Sequence, residues 1–353
     1  MLVDIDLSPN AIEEMSARRV PGGAKSARQR LFRILSAHGS IVFSNGLEVR
    51  AFNELLGSTT RLTVEEQKLW REFMIHMQRE NRVGKFRPEA VLGLHQVVTM
   101  SDLNQQLSTR SSDVIAVLPR ELYQSLFPED DVEIAGLTSN VTIATPDSLP
   151  GTDLISKAVA LVERGNFPEG TRREDIWEQV FFPLARRSRN ITILDRYIFR
   201  RMEEAQALRR PAQHPDHLQW LLQKIHSHAL PGTVVRVLTE MGTGRAAGTA
   251  EGAVQLLQNA WQPGTGSIRE IVCAGTVWER GGGMPHNRHI RFGPSTALSC
   301  VEGVDRLCRP SVYGSDGFTW VYKWNAEGVN PMITNENRVL NDASAQSSTL
   351  NLS

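Results

Sequence analysis

DHLQWLLQKIHSHALPGTVVRVLTEMGTGRAAGTAEGAVQLLQNAWQPGTGSIREIVCAGTVW, residues 216–278, alternates two helical segments with two apolar runs. DHLQWLLQKIHSHAL reads as a helix and TVVRVLTEMG as a β-branched strand. TAEGAVQLLQNAW returns to helix and SIREIVCAGTVW to strand. Upstream, NITILDRYIF (190–199) is a strand that ends in charge; downstream, HNRHIRFG and FTWVYKW are further extended candidates. Strands that alternate with helices predict an α/β layer fold with a mainly parallel sheet.

The first 150 residues show the same alternation. MLVDIDL, SIVFSN and NVTIAT read as short strands. AIEEMSARR, SARQRLFRILSAHG and GLEVRAFNELLG read as helices, as does VEEQKLWREFMIHMQREN, which Thr63 and Glu66 open with a capping box. VIAVLP fits a strand or a buried helical turn equally well. A chain of 353 residues suits two domains. The expected layout is an α/β domain over 1–150, a bridging helix and linker over 151–170, and a second α/β domain over 171–325. A polar tail over 326–353 is expected to be mobile or to dock late.

Lys+Arg and Asp+Glu balance at 39 each, so bulk charge does not attract nucleic acid, and local basic patches must do so if anything does. Cys273, Cys300 and Cys308 form no CxxC pair, which argues against a zinc module or a disulfide frame and fits a reducing compartment. No apolar run reaches the roughly 20 residues that span a bilayer, and no signal peptide is evident. The expectation is a cytoplasmic protein with no transmembrane segment.

Five acids in the first domain fall next to strands or helix starts: Asp4 and Asp6 in MLVDIDL, Glu48 in SNGLEVR, Asp113 in SSDVIAVLP and Asp147 in TIATPD. Sites of α/β sheets gather at the carboxyl ends of strands. Carboxylates that converge there repel one another unless a divalent cation holds them. In the second domain, PHNRHIRFG packs His286, Arg288, His289 and Arg291 into six residues, with each His–Arg pair on one face of an extended chain. Arginine and histidine together suit a phosphate, the first as a two-pronged donor and the second as nucleophile or acid. His226 and His228 read as a helix end.

The four acidic segments, in this order, resemble the motifs of PIN-like nuclease domains over about residues 1–150. The resemblance implies a small domain with a central parallel sheet. It also implies Mg²⁺ or Mn²⁺ held by Asp4 or Asp6, Glu48, Asp113 and Asp147, and a metal-activated water that cleaves a phosphodiester, RNA more than DNA. FFPLARRSRNITILDRYIF, TVVRVLTEM, MPHNRHIRFG and LSCVEGVDRL resemble the phospholipase-D-like domain at the C-terminus of MIT-domain proteins, over about 170–325. That resemblance implies a phosphate- or partner-binding site of Asp195, Arg196, His286, Arg288, His289, Arg291 and Asp305. Asn287 stands where that family has an acid, and a double histidine site would need a homodimer. Together the two resemblances imply a metal-dependent nuclease that binds nucleic acid, with a partner protein of the same system and, by analogy, a role in bacterial defence. The alternatives are a non-catalytic interaction or sensor protein built on two degenerate enzyme folds, and a metal-independent phosphodiesterase acting as a dimer.

Overall fold

Val3, Ile5 and Leu7 alternate with Asp4 and Asp6 in a strand whose five residues are all buried, β1 (Val3–Leu7). A strand buried on both faces belongs in the middle of a sheet covered by helices, and a computed structural model of the chain places it there. The structure describes residues 1–17, 23–85, 92–108, 113–128, 136–138, 141–199, 217–242, 248–261, 265–277, 280, 283–301, 303–304, 307 and 317–352. These fall into two units, Met1–Glu163 and Arg164–Ser353.

In the first unit β1 lies between β2 (Gly39–Phe43) and β4 (Val114–Val117), with β3 (Val83–Lys85) and β5 (Thr142–Ala144) at the edges. The order is β3-β2-β1-β4-β5 and every pairing is parallel. VIAVLP is therefore strand, β4, where length alone left it open. The described helices are α1 (Pro9–Ser16), α2 (Gly23–His38), α3 (Gly46–Gly57), α4 (Val64–Arg79), α5 (Met100–Leu107), α6 (Arg120–Leu126) and α7 (Asp153–Arg164). Asn45 caps α3 by accepting from the Glu48 amide, and the Thr63–Glu66 capping box opens α4 as the sequence predicts. The chain fills one side of the sheet through β3 and then crosses back over β1 to β4. The switch point, and with it the crevice that such sheets offer to ligands, lies at the carboxyl ends of β1 and β4.

The second unit departs from the expectation of a mainly parallel sheet. β7 (Asn190–Leu194), β8 (Thr233–Met241) and β9 (Ile268–Val277) are parallel. The remaining strands, β6 (Asn166–Phe167), β10 (His289–Phe292), β11 (Thr296–Cys300), β12 (Phe318–Lys323) and β13 (Gln346–Asn351), join antiparallel. The eight strands run β13-β9-β8-β7-β10-β11-β12-β6, a mixed sheet. The reason is local. The turn between Phe292 and Thr296 is too short for a helical crossover, so β10 and β11 must return antiparallel. Helices α8 (Arg173–Ile176) and α9 (Phe182–Ala185) flank a π-turn over Trp177–Phe181. α10 (His217–His228), α11 (Ala250–Ala260) and α12 (Ala326–Leu340) complete the described helices.

The segments expected as tail and linker lie within the two units. Residues 326–351 supply α12 and β13, and β13 pairs along β9 from Gln346 to Asn351. The segment is polar because β13 is an edge strand and α12 buries only Val329, Glu336 and Val339. Val339 joins Leu194, Leu238, Ala274 and Met284 in one apolar cluster over the parallel strands. The expected bridging segment divides between the units: α7 falls in the first up to Glu163, and β6 belongs to the second sheet. The proposed strand VEIAGL lies mostly outside the described residues. No helix among the described residues is long and apolar enough to cross a membrane.

Candidate functional site

Two polar groups sit at carboxyl strand ends, one in each unit. In the first unit Asp6 is the penultimate residue of β1, fully buried and level with Val42 and Ala116 on its neighbours. Its Oδ2 accepts from Ser44 Oγ at 3.3 Å and from Gln106 Nε2 at 3.2 Å, and Gln106 Nε2 lies 2.6 Å from Ser44 Oγ. All three residues are buried. Ser44 ends the run after β2, and Gln106 comes from the inner face of α5, between Leu103 and Leu107.

Glu48 is also fully buried, but its carboxylate is occupied by backbone. Oε2 accepts from the Ser44 amide at 2.6 Å and Oε1 from the Leu94 amide at 2.7 Å. It thus ties the start of α3 to the turn at Gly93–Leu94. His95 folds back against this turn, so close that a Cβ on Gly93 would lie 2.6 Å from its Nδ1. Burial holds the His95 imidazole below its ordinary pKa, against the pull of Asp6 and Glu54.

The other acids do not join them. Asp113 is exposed and precedes β4, at the amino edge of the sheet. Ala116 is the residue level with Asp6, so Asp113 stands three residues away, about 10 Å along the strand direction. Asp4 is buried at the amino half of β1, level with Ser40 and Val114. Asp147 is exposed on the turn that Thr145 and Ser148 close after β5, an edge strand separated from β1 by β4. Among the described residues no three His, Cys, Asp or Glu side chains converge as a metal site requires. The donors at this edge do not fit Mg²⁺ or Mn²⁺, which take about six oxygens. Asp6 and Glu48 are both tied to Ser44, one through its hydroxyl and the other through its amide, and the group facing Asp6 is a carboxamide N–H, a donor where a cation site needs acceptors.

In the second unit Asp195 and Arg196 follow the last residue of β7. The Asp195 amide bonds Leu238 O, and its Oδ1 accepts from the Tyr197 amide at 3.0 Å, which turns the chain across the strand ends. Arg196 faces Glu240, near the end of β8: Nε donates to Oε2 at 3.0 Å and Nη2 lies 2.8 Å from Oε1. The Glu240 carboxylate raises the pKa of this guanidinium. Arg196 Nη1 is 3.5 Å from His286 Nε2, and Arg288 Nε is 3.7 Å from Asp195 Oδ1. Arg196 therefore reaches the exposed His286, and Arg288 reaches Asp195, both just beyond the carboxyl end of β7.

His289 and Arg291 are corrected out of this group. They share a face of β10 that α12 covers, where buried Glu336 accepts from Arg291 Nε at 2.9 Å and Nη2 at 2.6 Å. His289 Nε2 lies 2.9 Å from the same carboxylate. The two form an ion network with Glu336. Asp305 lies outside the described residues. Sequence reading missed Ser44, His95, Gln106, Glu240 and Glu336. Glu240 carried a signal, an acid within an apolar strand run; Gln106 carried a weaker one, an amide inside an apolar helical stripe. No known protein-family pattern matches this chain, and no curated protein matches it.

Proposed function

We propose that this chain is a binding protein that recognises a phosphoryl group through its second unit, without hydrolysing it. The observation that carries the reading is the pair of contacts from the adjacent residues Asp195 and Arg196, at the carboxyl end of β7, to Arg288 and His286. Glu240 and Asp195 hold the two guanidiniums in place, and a held guanidinium loses less freedom when it grips a second anion. The two carboxylates offset the charge of the two arginines, so the group would take a phosphodiester of a nucleic acid or a lipid headgroup through its N–H donors and not through net charge. Hydrolysis of the phospholipase-D kind needs a second histidine against the same phosphate. His289, the nearest in sequence, is held under α12 by Glu336.

The test is fluorescence anisotropy of a labelled single-stranded oligonucleotide on the whole chain. Arg288→Ala should weaken binding by roughly tenfold, the loss of one charge-assisted contact. The bound oligonucleotide should stay intact with and without Mn²⁺. Equal affinity in Arg288→Ala and wild type overturns the site, and turnover of the oligonucleotide overturns the non-hydrolytic reading.

A further inference from the structure

The closed hydrogen-bond triangle of Asp6, Ser44 and Gln106 carries an inference independent of the second unit. We infer that Gln106 does at this edge what a divalent cation would do, so that one substitution turns a metal-free hub into a metal site. Asp6 is a fully buried carboxylate, and a buried carboxylate requires partners that bring it positive charge. It takes an O–H from Ser44 and an N–H from Gln106 on one oxygen. The orientation of the Gln106 amide follows: turned over, it would point Oε1 at the carboxylate and at Ser44 Oγ. As placed, Oε1 is buried and accepts no hydrogen bond among the described residues. The position thus bears the cost of an unsatisfied acceptor in order to aim its donor at Asp6.

Gln106→Glu replaces that donor with a second carboxylate about 3 Å from the first. Two carboxylates that close cannot both ionise unless a cation lies between them. Ser44 Oγ, 2.6 Å from the present Nε2, would add a third oxygen, with water completing the shell. The buried position of Gln106, three residues from Leu103 and one from Leu107, keeps the new carboxylate from turning to solvent.

The experiment is a Mn²⁺ titration of the whole chain, read by the electron paramagnetic resonance signal of free Mn²⁺ and by the thermal midpoint. Wild type should bind no Mn²⁺ at this edge and show no midpoint shift. Gln106→Glu should take up one Mn²⁺ per chain where wild type takes up none, because the added carboxylate supplies the charge a cation site needs. Its midpoint should rise with Mn²⁺, and Asp6→Asn added to it should abolish both effects. Gln106→Asp, one methylene shorter, is read the same way if the glutamate variant does not fold. Mn²⁺ binding by wild type that Asp6→Asn removes overturns the inference, as does a folded Gln106→Glu that binds none.

Discussion

Glu48 shows how a residue chosen for chemistry can be explained by architecture. Its two oxygens satisfy the amides of Ser44 and Leu94, which burial would otherwise leave without partners. Glu48→Ala should destabilise the first unit by about 2–4 kcal/mol, the cost of two orphaned buried donors, measured by urea unfolding. Glu336 has the same standing in the second unit. Burial pushes its carboxyl up, but hydrogen bonds from Arg291 and His289 more than offset this and hold it below the ordinary value of 4.5. Its contribution is therefore complete above that value and is lost as pH falls through the lower folded one. The thermal midpoint of the second unit should drop in that acid window, and Glu336→Gln should flatten the drop. Glu336→Ala at neutral pH should cost about 3 kcal/mol, because the half-buried Arg291 and the buried His289 lose their carboxylate partner.

At the scale of elements, the periodicity of the sequence carried most of the information. Helices α3 and α4 begin at their capping residues, and the apolar runs VIAV, TVVRVLTEM and IREIVCAGTV are strands. Periodicity did not carry which edge of a sheet an acid faces. Asp113 precedes its strand and Asp147 follows one, yet each simply flanks an apolar run in the sequence. Nor did it show that QSSTLN is a strand, since an edge strand needs few apolar residues once β9 supplies the ladder. Removing residues 346–351 should speed amide exchange along β9 between Glu270 and Gly275; unchanged protection would show that β13 does not hold that edge. Gly275 tests the neighbouring seam. A Cβ there would lie 1.7 Å from the backbone oxygen of Thr239, its partner on β8. Gly275→Ala should cost about 3 kcal/mol or more, since only backbone movement relieves the overlap.

At the scale of the molecule, both units are α/β, as the alternation of strands and helices implied, but the two sheets place their polar groups to different ends. At the parallel sheet Asp6 and Glu48 are closed by Ser44, Gln106 and backbone amides. In the mixed sheet the guanidiniums of Arg196 and Arg288 are held at the strand ends beside an exposed histidine. Asp6 and Glu48 in the first unit and Glu336 in the second are turned inward, while His286 stands exposed beside Arg196. The measurement that tests this division most directly is a phosphate titration of the whole chain followed by the histidine ring signals in a ¹H–¹⁵N spectrum. The His286 signals should shift and saturate while those of His289 stay fixed, and Arg288→Ala should remove the shift. His286 signals that do not move at saturating phosphate would contradict it.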